Sequence, residues 1–256
     1  MKLKNNKLNL AVMLSLTVSC AGGISPVVSA ETLNIITQAD YDSAENARGG
    51  IAPSISSLSN NTVTFGSTDG GNVPACDYTD SYSARIYGGG DPGYESLTGA
   101  SDVTNNTLII NSGSNINYAM GGVSYTGNAT NNMLIVNSGS IINAMGGWAV
   151  SGSADGNTTV INGGTISTLT AGGWSNEGAG NNNIVTVNAG TVNGILAGGK
   201  GSTIASDNTV NINGGTINAT VMGGRGATQA TDNTVTVNGG TINNWLAGGY
   251  SANGTR

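Results

Sequence analysis

Asp232–Arg256 reads DNTVTVNGGTINNWLAGGYSANGTR. Nearly the same sentence precedes it five times. An Asn opens each copy, at Asn106, Asn132, Asn157, Asn183, Asn208 and Asn233, so successive copies lie 26, 25, 26, 25 and 25 residues apart. A Gly-Gly pair keeps the same beat, at 121–122, 146–147, 172–173, 198–199, 223–224 and 248–249. A fixed period of this length marks a repeat architecture, in which one unit cannot bury its apolar face alone and must stack on its neighbours.

Within each copy the apolar residues keep a second, shorter beat. Leu108, Leu134, Thr159, Val185, Val210 and Val235 form one row, and Ile110, Val136, Ile161, Val187, Ile212 and Val237 form another two residues on. A spacing of two puts both rows on the same face of an extended strand. The residue between them is Ile109, Ile135 and Val160 in the first three copies, then Thr186, Asn211 and Thr236. The later copies thus alternate apolar-in and polar-out. The earlier ones predict an outer face partly covered, beneath the insertions at 67–104.

The row Asn111, Asn137, Asn162, Asn188, Asn213 and Asn238 follows, with Gly113, Gly139, Gly164, Gly190, Gly215 and Gly240 two residues later. Gly accepts positive φ without steric cost and Asn tolerates it, so this is a turn. Two roles stay open for these Asn residues: turn chemistry alone, or a ladder of stacked amides as well. Their recurrence favours the ladder. A short second strand is expected at Ile141, Ile166, Val192, Ile217 and Ile242, with Asn115 breaking the set. A third leads into Gly-Gly through Ile195–Ala197, Thr220–Met222 and Trp245–Ala247, and the residue before Gly-Gly is always Met or Ala.

Three short strands per copy and no helical stretch long enough to cover one exclude leucine-rich and βαβ architectures. The expected fold is all-β, a parallel β-helix of about 25-residue coils. The general preference of parallel crossovers makes it right-handed, and at ~4.8 Å per coil the six regular coils give a rod roughly 30 Å long. A glycine-rich antiparallel roll is the competing fold.

Before the repeats the chain changes character. Lys2, Lys4 and Lys7 precede an apolar run from Leu8 to Val18 and small residues ending at Val28-Ser29-Ala30. This is the order of a secretory signal peptide over 1–30, cleaved before Glu31. The run is too short to span a membrane, and Thr17-Val18-Ser19 lacks the leucine expected three residues before a lipidated Cys20. The chain from Glu31 on keeps five basic residues against fourteen acidic ones, a formal charge of −9, and no His. That balance argues against nucleic acid as a partner. A single Cys, Cys76, allows no internal disulfide in the exported chain. Residues 31–59 show no sustained periodicity and are expected to form an irregular leader or N-terminal cap. Residues 60–104 form a first coil, from Asn60-Asn61 to Gly88-Gly89, carrying loop insertions at about 67–85 and 90–104. Regular coils occupy 105–256, the last one truncated.

A signal segment followed by repeats of the form Asn-x-Val-x-Val-Asn-Gly-Gly-Thr-Ile-Asn, with a closing Gly-Gly, resembles the passenger region of bacterial autotransporters over about residues 60–256. The resemblance implies a β-helical surface adhesin held at the outer membrane through a C-terminal translocator barrel. No segment of this chain alternates as barrel strands do, and it stops at Thr255-Arg256 within the loop that would feed another coil. The expectation is therefore the N-terminal part of a longer passenger, exposed at the cell surface or released, with a host-surface protein or a glycan as partner.

The residues expected to carry recognition are aromatic, because a flat ring buries a sugar face or a partner's apolar surface. Tyr78, Tyr82 and Tyr94 lie in the insertions, and loops are where recognition concentrates. Trp148 and Trp174 follow Gly-Gly in successive coils with Tyr125 nearby, in a row completed by Val123, Lys200, Arg225 and Tyr250. Two placements stay open for the tryptophans: outward, or packed back over the bend glycines. Catalysis is not expected. Without His there is no nucleophile–base pair, and Asp155, Glu177, Asp207 and Asp232 fall in loops, where turn chemistry accounts for the last two. The glycine patterns at Gly198–Thr203 and Gly223–Thr228 miss the Asp of calcium-binding nonapeptides, so no metal or other cofactor is expected. The rival function is a polysaccharide-acting enzyme on the same scaffold, which would require carboxylates converging in space.

Overall fold

The computed structural model describes residues 32–35, 59–68, 85–90 and 102–254. The signal segment, Cys76, Tyr78, Tyr82 and Tyr94 lie outside the described residues, as do most of the leader and of the two insertions. Among the described residues there are only strands, turns and bends.

The fold is a parallel β-solenoid. One sheet, the opening sheet, stacks eight strands in chain order: Thr32–Ile35, Thr62–Phe65, Thr107–Ile110, Met133–Val136, Thr158–Ile161, Ile184–Val187, Thr209–Ile212 and Thr234–Val237. Every neighbouring pair is parallel and in register, so Val63, Leu108, Leu134, Thr159, Val185, Val210 and Val235 form one continuous row. Facing it is the glycine sheet, which contains Arg85–Gly90, Ile116–Ser124, Ser140–Ala149, Thr165–Ser175, Ile195–Lys200, Thr220–Gly226 and Leu246–Ser251. A small return sheet pairs Val103–Thr104, Ala129–Thr130 and Ala154–Asp155.

The core is the space between the first two sheets. Leu108, Ile110, Leu134, Val136, Ile161, Val185, Val187, Val210 and Ile212 reach it from the opening sheet, and Ile116, Met120, Ile141, Met145, Ile166, Val192, Ile217 and Val221 from the other side. Full burial of one such side chain stabilises by about 1.5–3 kcal/mol. That burial depends on having a coil above and a coil below. Among the described residues no further coil stacks on the one that contains Val237 and Leu246, and there Val237 is 47% and Leu246 44% exposed. Thr159 holds an apolar row position because its Oγ1 donates to Ala171 O at 2.6 Å while fully buried.

Two long columns of Asn run along the stack, beside a shorter one in which Asn243 donates to Asn218 and Asn218 to Asn193. The outer column is the turn row: Nδ2 of Asn137, Asn162, Asn188, Asn213 and Asn238 each donates to Oδ1 of the Asn one coil earlier, at 2.8–2.9 Å. The amide ladder is therefore present, and the Gly two residues on takes positive φ at every level, 83° at Gly164 for example. The inner column is formed by the Asn residues that open each copy. Asn61, Asn106, Asn132, Asn157, Asn183 and Asn208 are buried, and each donates both its backbone N–H and its Nδ2 to Oδ1 of the Asn one coil later. The second Nδ2 hydrogen of Asn132, Asn157, Asn183 and Asn208 is taken by a backbone carbonyl, that of Val103, Ala129, Ala154 and Gly180 in turn.

This column explains the Gly-Gly pair. A Cβ on Gly122 would lie 2.4 Å from Asn132 Cγ, and one on Gly147 would lie 2.4 Å from Asn157 Cγ. The same contact recurs between Gly89 and Asn106, Gly173 and Asn183, Gly199 and Asn208, and Gly224 and Asn233. The opening Asn and the second closing Gly are thus two halves of one packing contact, which is why they keep the same period.

Five details depart from the expectation. Thr32–Ile35, inside the leader, is a strand paired in register with Thr62–Phe65, so the leader contributes to the stack. The insertions are narrower than 67–85 and 90–104, since Arg85–Gly90 is already strand and Val103–Thr104 belongs to the return sheet. The second strand of the first regular coil is in phase through Ile116, which pairs with Ile141; Asn115 is an extra residue absorbed at φ 58°. Second and third strands merge in Ser140–Ala149 and Thr165–Ser175, with a register shift between Ile166 and Leu169 in place of a full bend. Ile109, Ile135 and Val160 are half-buried like Thr186 and Asn211, so the described residues place no cover over them.

Candidate binding face along the glycine sheet

The residue after each Gly-Gly is brought into one straight row by sheet register. Val123 pairs with Trp148, Trp148 with Trp174, Trp174 with Lys200, Lys200 with Arg225, and Arg225 with Tyr250. Adjacent members are one coil apart, about 4.8 Å between backbones. Val123 is buried, whereas Trp148, Trp174, Lys200, Arg225 and Tyr250 are all partly exposed.

The two expected tryptophans are held by different neighbours. Trp148 lies on Tyr118, with ring centroids 6.0 Å apart and planes 9° from parallel, and takes Tyr125 edge-on at 6.0 Å and 61°. Trp174 lies under the ammonium of Lys200, 5.2 Å from its ring centroid. Both indole N–H groups donate to the same acceptor, Asn176 Oδ1, at 3.4 and 3.2 Å. Both rings also pack against the core. The two placements left open by the sequence are therefore combined. Each indole covers the sheet with one part and meets solvent with another, an arrangement that suits amphipathic aromatic rings.

Tyr125 sits beside Trp148 as expected but is only 8% exposed, so it supports that ring and offers little surface of its own. Its hydroxyl accepts from Arg85 Nη1 at 3.4 Å. Arg85 is itself buried and lies 5.0 Å from the Tyr118 ring centroid, which completes a stack of Arg85, Tyr118 and Trp148. Burial pushes the neighbouring Tyr87 phenol well above its ordinary range. Arg85, Tyr118 and Asn176 were not singled out in the sequence. Arg85 and Tyr118 share a register position five residues ahead of the Gly90–Val123 row, a correspondence that the insertion after Phe65 hides. Asn176 lies in a variable loop and has no periodic signal.

Lys200 extends over Trp174 and donates from Nζ to Ser175 O at 2.5 Å. Burial, and then the adjacent charge of Arg225, hold its ammonium pKa below the ordinary lysine value. None of the acids among the described residues falls in this row. Asp207 and Asp232 adopt φ 58° at the same turn position as Asn60, Asn105, Asn131 and Asn182, and turn conformation accounts for them. Among the described residues, no three His, Cys, Asp or Glu side chains come together as a metal site would require. In comparisons with protein-family models, curated proteins and solved structures, nothing matches this chain.

Proposed function

We propose that this chain is an exported structural and adhesive β-solenoid, working at the cell surface or outside the cell as part of an autotransporter-like passenger. In that role it is not an enzyme. It presents a rigid face to a glycan or to a host-surface protein, and it would reach the outer membrane only through a translocator barrel supplied beyond the repeats. The observation that carries this reading is the row Trp148, Trp174 and Tyr250, half-open aromatic rings fixed by sheet register on a scaffold with little freedom to lose on binding. Preorganised aromatic area of this kind favours recognition. The placement of Asp155 in the return sheet, of Glu177 in a loop and of Asp207 and Asp232 at turns supports binding over carbohydrate cleavage, whose general mechanism needs two carboxylates facing one bond.

The test is a binding assay of the purified full chain on immobilised glycans and on cultured host cells, beside a Trp174→Ala variant whose thermal unfolding matches the parent. The expected result is saturable binding that falls by about tenfold or more in the variant, the usual size of loss when an aromatic anchor is truncated. Absence of binding to every glycan and cell surface by the parent chain would overturn the adhesive reading.

A further inference from the structure

Only three cationic side chains occur among the described residues: Arg85, Lys200 and Arg225. Arg85 is buried beneath Tyr118 and Tyr125. The other two are partly exposed and stand side by side in the outward row, Lys200 in direct register with Arg225. Like charges facing each other across a parallel pair repel and cost stability. In a chain whose formal charge is −6, chance placement would more often set an acid beside a cation than a second cation. Burial and the Arg225 charge both hold the Lys200 ammonium below its ordinary pKa. The row continues on both sides with an aromatic ring, Trp174 before Lys200 and Tyr250 after Arg225.

We propose that Trp174, Lys200, Arg225 and Tyr250 form a binding site for an acidic polysaccharide, its chain lying along the solenoid axis and its carboxylate or sulfate groups held by the two cations. This rests on the adhesive reading above and gives its ligand a chemical class. Each part of the row has a matching part in such a ligand. A pyranose ring presents a C–H face that packs on indole or phenol. The planar guanidinium of Arg225 takes a carboxylate or sulfate through two N–H donors. Lys200 supplies a point charge whose position is fixed by Ser175 O and the Trp174 ring. One sugar residue advances its chain by a distance close to one coil spacing, so successive sugars meet successive members of the row. A bound anion between Lys200 and Arg225 also relieves their mutual repulsion.

The experiment measures binding of the purified full chain to heparin, polygalacturonate and neutral dextran at low and moderate salt. The parent is compared with Lys200→Gln/Arg225→Gln and with Arg225→Lys, after matched thermal melts confirm folding. Expected for the parent is binding to one or both acidic polymers, weakening as salt rises. The double variant should lose about tenfold or more in affinity for them, and Arg225→Lys should lose less. Unchanged acidic-polymer affinity in the double variant overturns the proposal. If Trp174→Ala still abolishes binding to cells or neutral glycans, the adhesive reading survives that result. Equal affinity of the parent for single-stranded DNA or for anionic phospholipid vesicles also overturns it, since the row would then select charge alone. Absence of binding to any surface removes both.

Discussion

The two Asn columns use the same side chain at the same period, yet they do different things. The outer column is exposed, and each amide makes one bond to its neighbour at 2.8–2.9 Å. In solvent that bond replaces a water contact of nearly equal strength, so its net worth is small. The inner column is buried, and Asn132, for example, uses its N–H, both Nδ2 hydrogens and its Oδ1. Removing one member there strands donors that no water can reach. Identical chemistry is an ornament in one place and a structural requirement in the other, and burial alone makes the difference.

Substitutions can break or sharpen that contrast. The largest effect is expected from Asn157→Ala, which leaves the Asn132 N–H and one Nδ2 hydrogen without an acceptor; urea unfolding should show a loss of about 2–4 kcal/mol. Gly147→Ala forces a methyl group onto the Asn157 amide and should cost about 1–3 kcal/mol. Combined with Asn157→Ala it should cost less than the sum, and strict additivity would mean that Gly147 and Asn157 are not one contact. Thr170→Val tests the same rule from the opposite side. The buried Thr170 Oγ1 has no hydrogen-bond partner among the described residues, so exchanging its hydroxyl for a methyl should stabilise by about 1 kcal/mol. Asn162→Ala in the outer column should move stability by no more than about 0.5 kcal/mol. A loss as large as that of Asn157→Ala would erase the distinction between the columns.

The solenoid itself was legible because its signals are periodic. Val and Ile alternate with a period of two, Gly-Gly recurs every 25 or 26 residues, and both translate directly into strands and coils. The turn ladder was legible for the same reason. What periodicity did not reveal was the partnership between opening Asn and closing Gly. Gly122 and Asn132 are ten residues apart and meet only because the chain folds back within one coil. The strand at Thr32–Ile35 was hidden by being a single unrepeated copy. At the surface row, the alignment of Trp148, Trp174, Lys200 and Arg225 followed from the repeat. Their environments did not, because the register position that holds Tyr118 holds Asn143 and Leu169 in the next two coils, and Asn176 lies in a loop outside the register.

The two columns also point in opposite directions. Inner amides donate towards the later coil, as from Asn106 to Asn132, while outer amides donate towards the earlier one, as from Asn137 to Asn111. Backbone partners set both senses: Asn132 Nδ2 also donates to Val103 O, and Asn111 Nδ2 donates to Gly66 O at 3.4 Å. Each column is a row of aligned amide dipoles, comparable in kind to the peptide units of an α-helix. Because they run antiparallel, their axial fields oppose each other, and the alternating backbone of the sheets adds little. A third, shorter column runs in the outer sense, Asn243 donating to Asn218 and Asn218 to Asn193, so the later coils of such a rod keep a net amide dipole that the inner column does not offset.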